Sequence, residues 1–281
     1  MAASQALTPP AEAAAYHGFK GEQQIALPGF AGDAMEPFIT ADGRQLLFNS
    51  SNAPGFDTDL FSARRTADGS FAKPAPLGQA NSKTLDGVAS LDRSGTLYFV
   101  SLRSYGQSLS TLYRAGNGGR VAPKLVPGIS PRRAGIVQFD AEVARDGQSL
   151  WVSEGRFSGK PYPDSAKIEL ARKRGDGFRA VADSDAQLGK VNQGALNYAA
   201  AISRDGLELF FTRVTDMAHA EPVIMRAARS APDKPFDTPQ PVAGIAGQVE
   251  APSLSADGLT LYYHKRIGGR FVLCEIRRQR R

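Results

Sequence analysis

The sequence predicts an all-β chain: a five-bladed β-propeller of four-stranded antiparallel blades, closed by an N-terminal strand that completes the last blade. Three observations lead there: a phrase that recurs five times, a turn glycine at near-constant spacing within it, and prolines that return where an outer strand belongs. The copies are EPFITADGRQLLFNSS from Glu36, DGVASLDRSGTLYFVS from Asp86, DAEVARDGQSLWVS from Asp140, NYAAAISRDGLELFFT from Asn197 and EAPSLSADGLTLYYHK from Glu250. Their turn glycines, Gly43, Gly95, Gly147, Gly206 and Gly258, stand 52, 52, 59 and 52 residues apart. A period of that length is the signature of a repeated supersecondary unit.

Four copies place Asp before the glycine between two apolar runs. Asp-Gly supplies the positive-φ residues of a tight hairpin, so each phrase reads as the first two strands of a blade. A third strand follows at 59–62, 111–114, 168–170, 223–226 and 271–273. A fourth follows the first four of these and carries Pro74 and Pro76, then Pro123, and later Pro239 and Pro241. Proline has no ladder donor to offer, which puts this strand on the outer edge of its blade. After Gly258 only 23 residues remain, too few for a fourth strand. Upstream, Gln24-Ile25-Ala26-Leu27-Pro28-Gly29 reads like the outer-strand text Pro74-Ala75-Pro76-Leu77-Gly78, so this segment is expected to pair the open edge of the last blade. An open solenoid of the same repeats is the alternative.

Composition narrows the classes. With 42% hydrophobic and 22% charged residues the chain reads as globular, and nowhere do eighteen apolar residues run together, so no membrane span is expected. The net charge of +6 drops to +2 without Arg277, Arg278, Arg280 and Arg281. The basicity is therefore expected to be a solvated tail at 277–281, and with no aromatic residues interleaved for base stacking no nucleic-acid partner is expected. Residues 1–18 read as a loose alanine-rich leader broken at Pro9-Pro10, leaving the propeller at 19–276; no signal-peptide pattern is present in the chain as given. The single cysteine, Cys274, lies in an apolar strand and reads as a packed thiol. His17, His219 and His264 lack metal-site spacing, and no Gly-x-Ser-x-Gly elbow or phosphate loop occurs, so no metal or cofactor is expected.

The repeat resembles the TolB-like, WD-type (PD40-type) propeller repeats of bacterial envelope proteins, across nearly all of residues 19 to 276. The best match is Glu36-Pro37-Phe38-Ile39 with Asp42-Gly43 and Leu47-Phe48, then Asp59-Leu60-Phe61, Asp68-Gly69-Ser70-Phe71, Pro74 and Leu77-Gly78. The proline that often precedes Asp-Gly in that family is replaced by Ala41, Arg145, Arg204 and Ala256, and the second copy has Ser94-Gly95. The resemblance implies a periplasmic or secreted protein, expected here to act as a monomer.

First strands line the channel of a propeller, so their starting residues and the ends of the second strands open on one face. The starts are Glu36, Asp86, Asp140, Asn197 and Glu250, with Glu142 one alternation beyond Asp140. The second-strand ends add Arg103, Glu154, Arg156, Arg213, His264 and Lys265. Such carboxylates can bind a hard cation through oxygen or, as an acid and base pair, act on a sugar. They can equally be structural, accepting backbone N–H groups of the neighbouring blade. Phe48, Phe99, Trp151, Phe211 and Tyr263 recur at repeat spacing and are expected to be inter-blade core, while Tyr162, Asp164 and Asn192 in the longer third repeat are candidates for a binding rim. The function expected is binding of a small polar ligand or a protein segment at the channel mouth, with a carbohydrate-processing enzyme as the alternative.

Overall fold

The computed structural model describes residues 16–53, 57–218 and 220–281. Residues 1–15 of the expected leader, and His219, lie outside them. The first sheet contains β2 (Met35–Ile39), β3 (Gln45–Asn49), β4 (Leu60–Arg64) and β5 (Ala75–Pro76) in sequence order, all antiparallel. The second repeats this with β6 (Asp86–Leu91), β7 (Leu97–Ser101), β8 (Leu112–Ala115) and β9 (Lys124–Leu125). The next two repeats supply β10 (Ile136–Val143), β11 (Ser149–Arg156), β12 (Ser165–Arg174) and β13 (Gly177–Ala180), then β14 (Leu196–Ile202), β15 (Glu208–Val214), β16 (Val223–Ala228) and β17 (Gln240–Pro241). These two antiparallel sets are joined into one larger sheet by a single parallel bridge, Ala166 to Leu196. The last sheet holds β18 (Val249–Leu254), β19 (Thr260–Ile267) and β20 (Arg270–Arg277), with β1 (Lys20–Gln24) paired to the outside of β20.

Each hairpin closes on its turn glycine: Gly43 donates to Thr40 O and holds φ 69°, a conformation glycine adopts without steric cost. The second repeat is one residue tighter. There Asp92 N bonds Thr96 O, where Thr40 N bonds Gln45 O in the first. Outer strands β5 and β17 are two residues long and contain Pro76 and Pro241, as an edge requires.

Every inner strand breaks register with its hairpin partner, at Met35/Phe38, Gly87/Ser90, Gln138/Asp140, Tyr198/Ala201 and Glu250/Ser253. Four of these bulges hold a non-glycine residue in the left-handed region, Glu36, Val88, Ala199 and Ala251, at φ 53° to 54°. Each such residue costs about 1–2 kcal/mol. The amide freed from the ladder offsets that cost by bonding a side chain on the second strand of an adjacent sheet. Val88 N donates to Asn49 Oδ1 (2.9 Å), Ala199 N to Ser153 Oγ (3.0 Å), Ala251 N to Thr212 Oγ1 (2.9 Å) and Glu36 N to His264 Nδ1 (3.0 Å). A second set of bonds runs beside them, from Val143 N to Ser90 Oγ, Ile202 N to Glu142 Oε1 and Ile39 N to Ser253 Oγ.

The core is divided in the same way, one apolar cluster per pair of neighbouring sheets. Phe99 packs with Phe38 and Leu47, Trp151 and Phe211 share a cluster with Phe236, Tyr263 packs with Phe210, and Phe48 packs with Tyr262 of the last sheet. All five recurring aromatics are at most 2% exposed, as inter-sheet core should be. Cys274 is buried among them, and burial pushes its thiol up to about 11.

Two boundaries differ from the sequence reading. The N-terminal strand is Lys20–Gln24, not 24–29: the ladder ends after Ile25, and the chain turns away at Pro28-Gly29, where Gly29 holds φ 72°. Phe19 and Ile25 flank the strand and are buried, and Ile25 N still donates to Leu273 O at 2.8 Å. The C-terminal arginines are not a free tail. Arg277 ends β20, and Arg278 is 5% exposed, bonded through Nη1 to Glu208 Oε1 at 2.9 Å with its guanidinium 3.8 Å from the centre of the Tyr16 ring. Burial alone would raise the Glu208 carboxyl, but Arg278 and Arg226 hold it below the usual range. A run of arginines reads as solvated charge from composition because nothing in the run reveals a buried countercharge seventy residues away.

Removing residues 1–29 strips β1 from β20 together with Phe19 and Ile25. At about 1.5–3 kcal/mol per buried side chain the shortened protein should lose about 3–6 kcal/mol and melt roughly 10 °C lower. An unchanged melting temperature by calorimetry would show that β1 is not integral to the fold.

Candidate functional site in the central channel

The middle of each inner strand faces a narrow channel, about 30 Å³ of free space, walled largely by small side chains such as Ala89, Ala141, Ala200 and Ala251. Three carboxylic side chains interrupt that wall: Glu36, Asp140 and Glu142. The bulges put them there. Glu36 and Asp140 both lie seven residues before their turn glycines, the place occupied by Val88, Ala199 and Ala251 in the other repeats.

The five strand starts therefore do not form one ring. Glu250 lies eight residues before its glycine, and Asp86 and Asn197 lie nine before theirs. At the last position the side chain turns into the body of its sheet. Asp86 is fully buried and accepts from Arg103 Nη2 at 2.6 Å, and the same guanidinium bonds Ala80 O. Asn197 repeats the pattern, taking Arg213 Nε at 2.9 Å while Arg213 Nη2 donates to Val191 O. These two pairs tie an inner strand to the segment leading into it, and all four residues are thereby engaged in the scaffold. Arg156 is exposed at the end of β11, away from the channel walls. Lys265 belongs to the seam with β1, its Nζ 2.6 Å from Glu22 Oε1. Glu154 lies beside Glu169 and Lys167. Of the rim candidates, Asn192 clasps both backbone groups of Ile168, as Asn81 clasps those of Leu60, which makes it structural. Asp164 pairs with Lys160 at 3.2 Å, and Tyr162 is exposed.

Glu250 reaches the channel carboxyls from the side. Its Oε2 accepts from the Tyr198 phenol at 2.6 Å, and its Oε1 stands 3.9 Å from His264 Nε2, too long for a hydrogen bond but close enough for attraction. His264 is 1% exposed, and because its Nδ1 accepts the Glu36 amide, the proton of the neutral ring resides on Nε2. Glu36 Oε1 accepts from Asn52 Nδ2 at 2.9 Å. Its other oxygen, Oε2, is buried with no hydrogen-bond partner in the protein, and the same is true of His264 Nε2. Tyr198 and Asn52 were not legible as site residues. Tyr198 stands eight residues before its turn glycine, the offset of Glu250 in the last repeat, and Asn52 lies in the loop after β3, so neither pairing follows from chain order alone.

The electrostatics separate these acids. Burial raises Glu36 well above the usual carboxyl range, reinforced by Asp140 and Glu250 and opposed by Asn52. Burial carries Asp140 up to about 7 against a hydrogen bond from Ser153, and carries Glu142 up to about 8 against the Ile202 amide and Arg145. Glu250 goes the other way: burial alone would raise it, but His264 and Tyr198 hold it below its ordinary value. A protonated donor and an ionised acceptor thus lie within one cluster. Among the described residues no group of three or more His, Cys, Asp or Glu could hold a metal ion, and no helix is long and apolar enough to cross a membrane.

Inner strands around a channel, each followed outward by antiparallel neighbours, define a β-propeller, and solved structures of that class share the architecture. No protein-family model matches the sequence, and no curated protein matches it either. Among solved structures, TolB from Acinetobacter baumannii is similar over 87% of this chain at 14% identity and a TM-score of 0.51. The chain spans 54% of that TolB. A gluconolactonase from Xanthomonas campestris is similar over 97% of this chain and 93% of its own, at 16% identity and a TM-score of 0.54. The catalytic domain of a GH62 α-L-arabinofuranosidase from Coprinopsis cinerea is similar over 94% of this chain and 97% of its own, at 13% identity and a TM-score of 0.55. At these identities the likeness is one of fold.

Raised carboxyls bind their protons more tightly in the folded protein. The stability they contribute is complete below about pH 4 and is lost as pH rises through about 7 for Asp140 and about 8 for Glu142. Asp140→Asn and Glu142→Gln remove that loss, so each variant should gain about 1–3 kcal/mol on the parent protein between pH 5 and pH 9. Urea unfolding at the two pH values measures the gain, and a difference that stays flat with pH would refute the assignment.

Proposed function

We propose that the chain is a five-bladed propeller closed by β1, spanning residues 19 to 278, and that it serves as a binding module of the bacterial cell envelope, periplasmic or secreted. Its ligand is a small polar molecule or a protein segment, taken at the channel mouth on the face of the inner-strand starts. The ring is supported by the bonds from the last sheet to the first, Glu36 N to His264 and Ile39 N to Ser253 Oγ, and by the pairing of β1 with β20.

The observation that carries the binding reading is the pair of buried polar atoms without a protein partner, Glu36 Oε2 and His264 Nε2. Leaving such groups unmatched costs about 1–3 kcal/mol each, and a ligand carbonyl or hydroxyl oxygen, with two lone pairs, would accept from them. Asp140, Glu142 and Glu250 set the charge around that group. Asp86, Asn197, Arg103 and Arg213 act as scaffold beneath it. The narrowness of the channel favours insertion of one polar group over enclosure of a whole sugar ring.

A second reading, an enzyme acting on a carbohydrate or small polar metabolite, is supported by the separation of the carboxyls. Environments that push neighbouring acids apart, as at Glu36 and Glu250, are how one site holds a general acid beside a base.

A thermal-shift screen of glycans, small metabolites and peptides, followed by product analysis of every hit, separates the two. Binding without turnover, weakened about tenfold in Glu250→Gln with the native circular dichroism spectrum retained, is the expected result. Product formation by the parent protein, abolished in Glu36→Gln or Glu250→Gln while binding survives, would establish the enzyme instead. Binding that survives both substitutions with no product from the parent protein would move the site away from the channel.

A further inference from the structure

At the opposite end of the channel the hairpin turns of the inner strands surround a larger cavity of about 520 Å³. One position in every turn, two residues before the glycine, reaches it, and the residues there are Ala41, Arg93, Arg145, Arg204 and Ala256. Three guanidinium groups from three consecutive sheets therefore gather where an alternating pattern would have separated them.

Arg145 extends furthest inward. Its Nη2 crosses to the last sheet and donates to Leu254 O at 2.7 Å, while Nη1 is buried with no hydrogen-bond partner in the protein. Burial weakens its hold on its proton, Glu142 and the more weakly acting Asp257 work against that effect, and nearby Arg204 adds to it. Among the described residues neither Arg93 nor Arg204 has a carboxylate partner, and both are exposed. The acids at this end are occupied elsewhere. Asp205 Oδ1 accepts from Ser203 Oγ and Leu207 N, Asp146 Oδ1 accepts from Gln148 N, and Asp257 accepts from Ser255 Oγ and Leu259 N. Arg229, which also borders the cavity, is consumed by Gly206 O and Gln187 Oε1.

A partly buried guanidinium beside a like charge, with one nitrogen unpartnered, is costly unless an anion joins them, and planar guanidinium forks match the oxygens of phosphate and carboxylate. We infer that this cavity binds a small multivalent oxyanion, of phosphate or carboxylate type, held by Arg93, Arg145 and Arg204. The volume suits a compact organic anion. The site shares none of these arginines with the ligand pocket proposed at the other mouth, so either can fail without the other.

Titration calorimetry of the full chain at low ionic strength, with inorganic pyrophosphate and with citrate, tests the inference. Saturable one-site binding of at least one of them is expected, weakened at least about tenfold in the double variant Arg93→Gln/Arg204→Gln and unchanged in Arg120→Gln, an exposed arginine after β8 that does not line this cavity. Both substituted side chains are exposed, so the double variant should keep the parent melting temperature. Tighter binding of pyrophosphate would identify a phosphate ligand, and tighter binding of citrate a carboxylate ligand. No saturable heat from either anion, or equal affinity in the double variant, would overturn the assignment.

Discussion

A single kind of hydrogen bond carries the architecture: the amide that an inner strand releases at its bulge, given to a side chain of an adjacent sheet. Twisted sheets packed face to face around an axis leave their innermost backbone close together, where an unpaired N–H has no access to bulk water. Asn49, Ser153, Thr212 and His264 each supply an acceptor at the same place on the second strand, six residues after the turn glycine. The second sheet is the exception. Its shorter turn puts Val100 at the corresponding place, and Thr111 Oγ1 donating to Gln138 O links it to the third sheet instead. His264 is thus a structural acceptor whose second nitrogen is buried 3.9 Å from Glu250 Oε1.

The repeat, the hairpins, the third strands and the aromatic core were legible because they follow from short-range rules: turn chemistry, alternation and apolar spacing. The outer strands were legible from proline alone. The bulge was not, since nothing in Glu36, Val88, Ala199 or Ala251 marks a left-handed residue, and none of the four is a type that favours it. That one omission misread the acids. Without the bulge, a strand start is a strand start, and Asp86 looks equivalent to Glu36; with it, Asp86 joins Arg103 inside a sheet while Glu36 enters the channel. Glu142 illustrates the reverse confusion. It stands where the second and last repeats carry Ser90 and Ser253 and makes the same bond to a neighbouring amide, so part of its role is that of a serine.

The repeats also band side-chain chemistry along the axis. Buried carboxyls gather where the inner strands begin, and arginines gather beside the turn aspartates where they turn back, with Glu142 bordering both cavities. The alternation within a strand cannot produce such bands. They arise because repeats place the same offset from the turn glycine at the same height, so a preference at one offset becomes a band around the axis.

The seam between β1 and β20 joins residues about 250 positions apart, Lys20 with Arg277 and Gln24 with Cys274. Contacts of such separation are paid for in chain entropy before they return any energy. The residues of β1 leave the ribosome before those of β20 and must wait for them, and until they meet, the facing edges of both strands are open to pairing with another chain. The exposed face of β1, Lys20, Glu22, Gln23 and Gln24, is polar throughout, which suits a strand that spends synthesis unpaired.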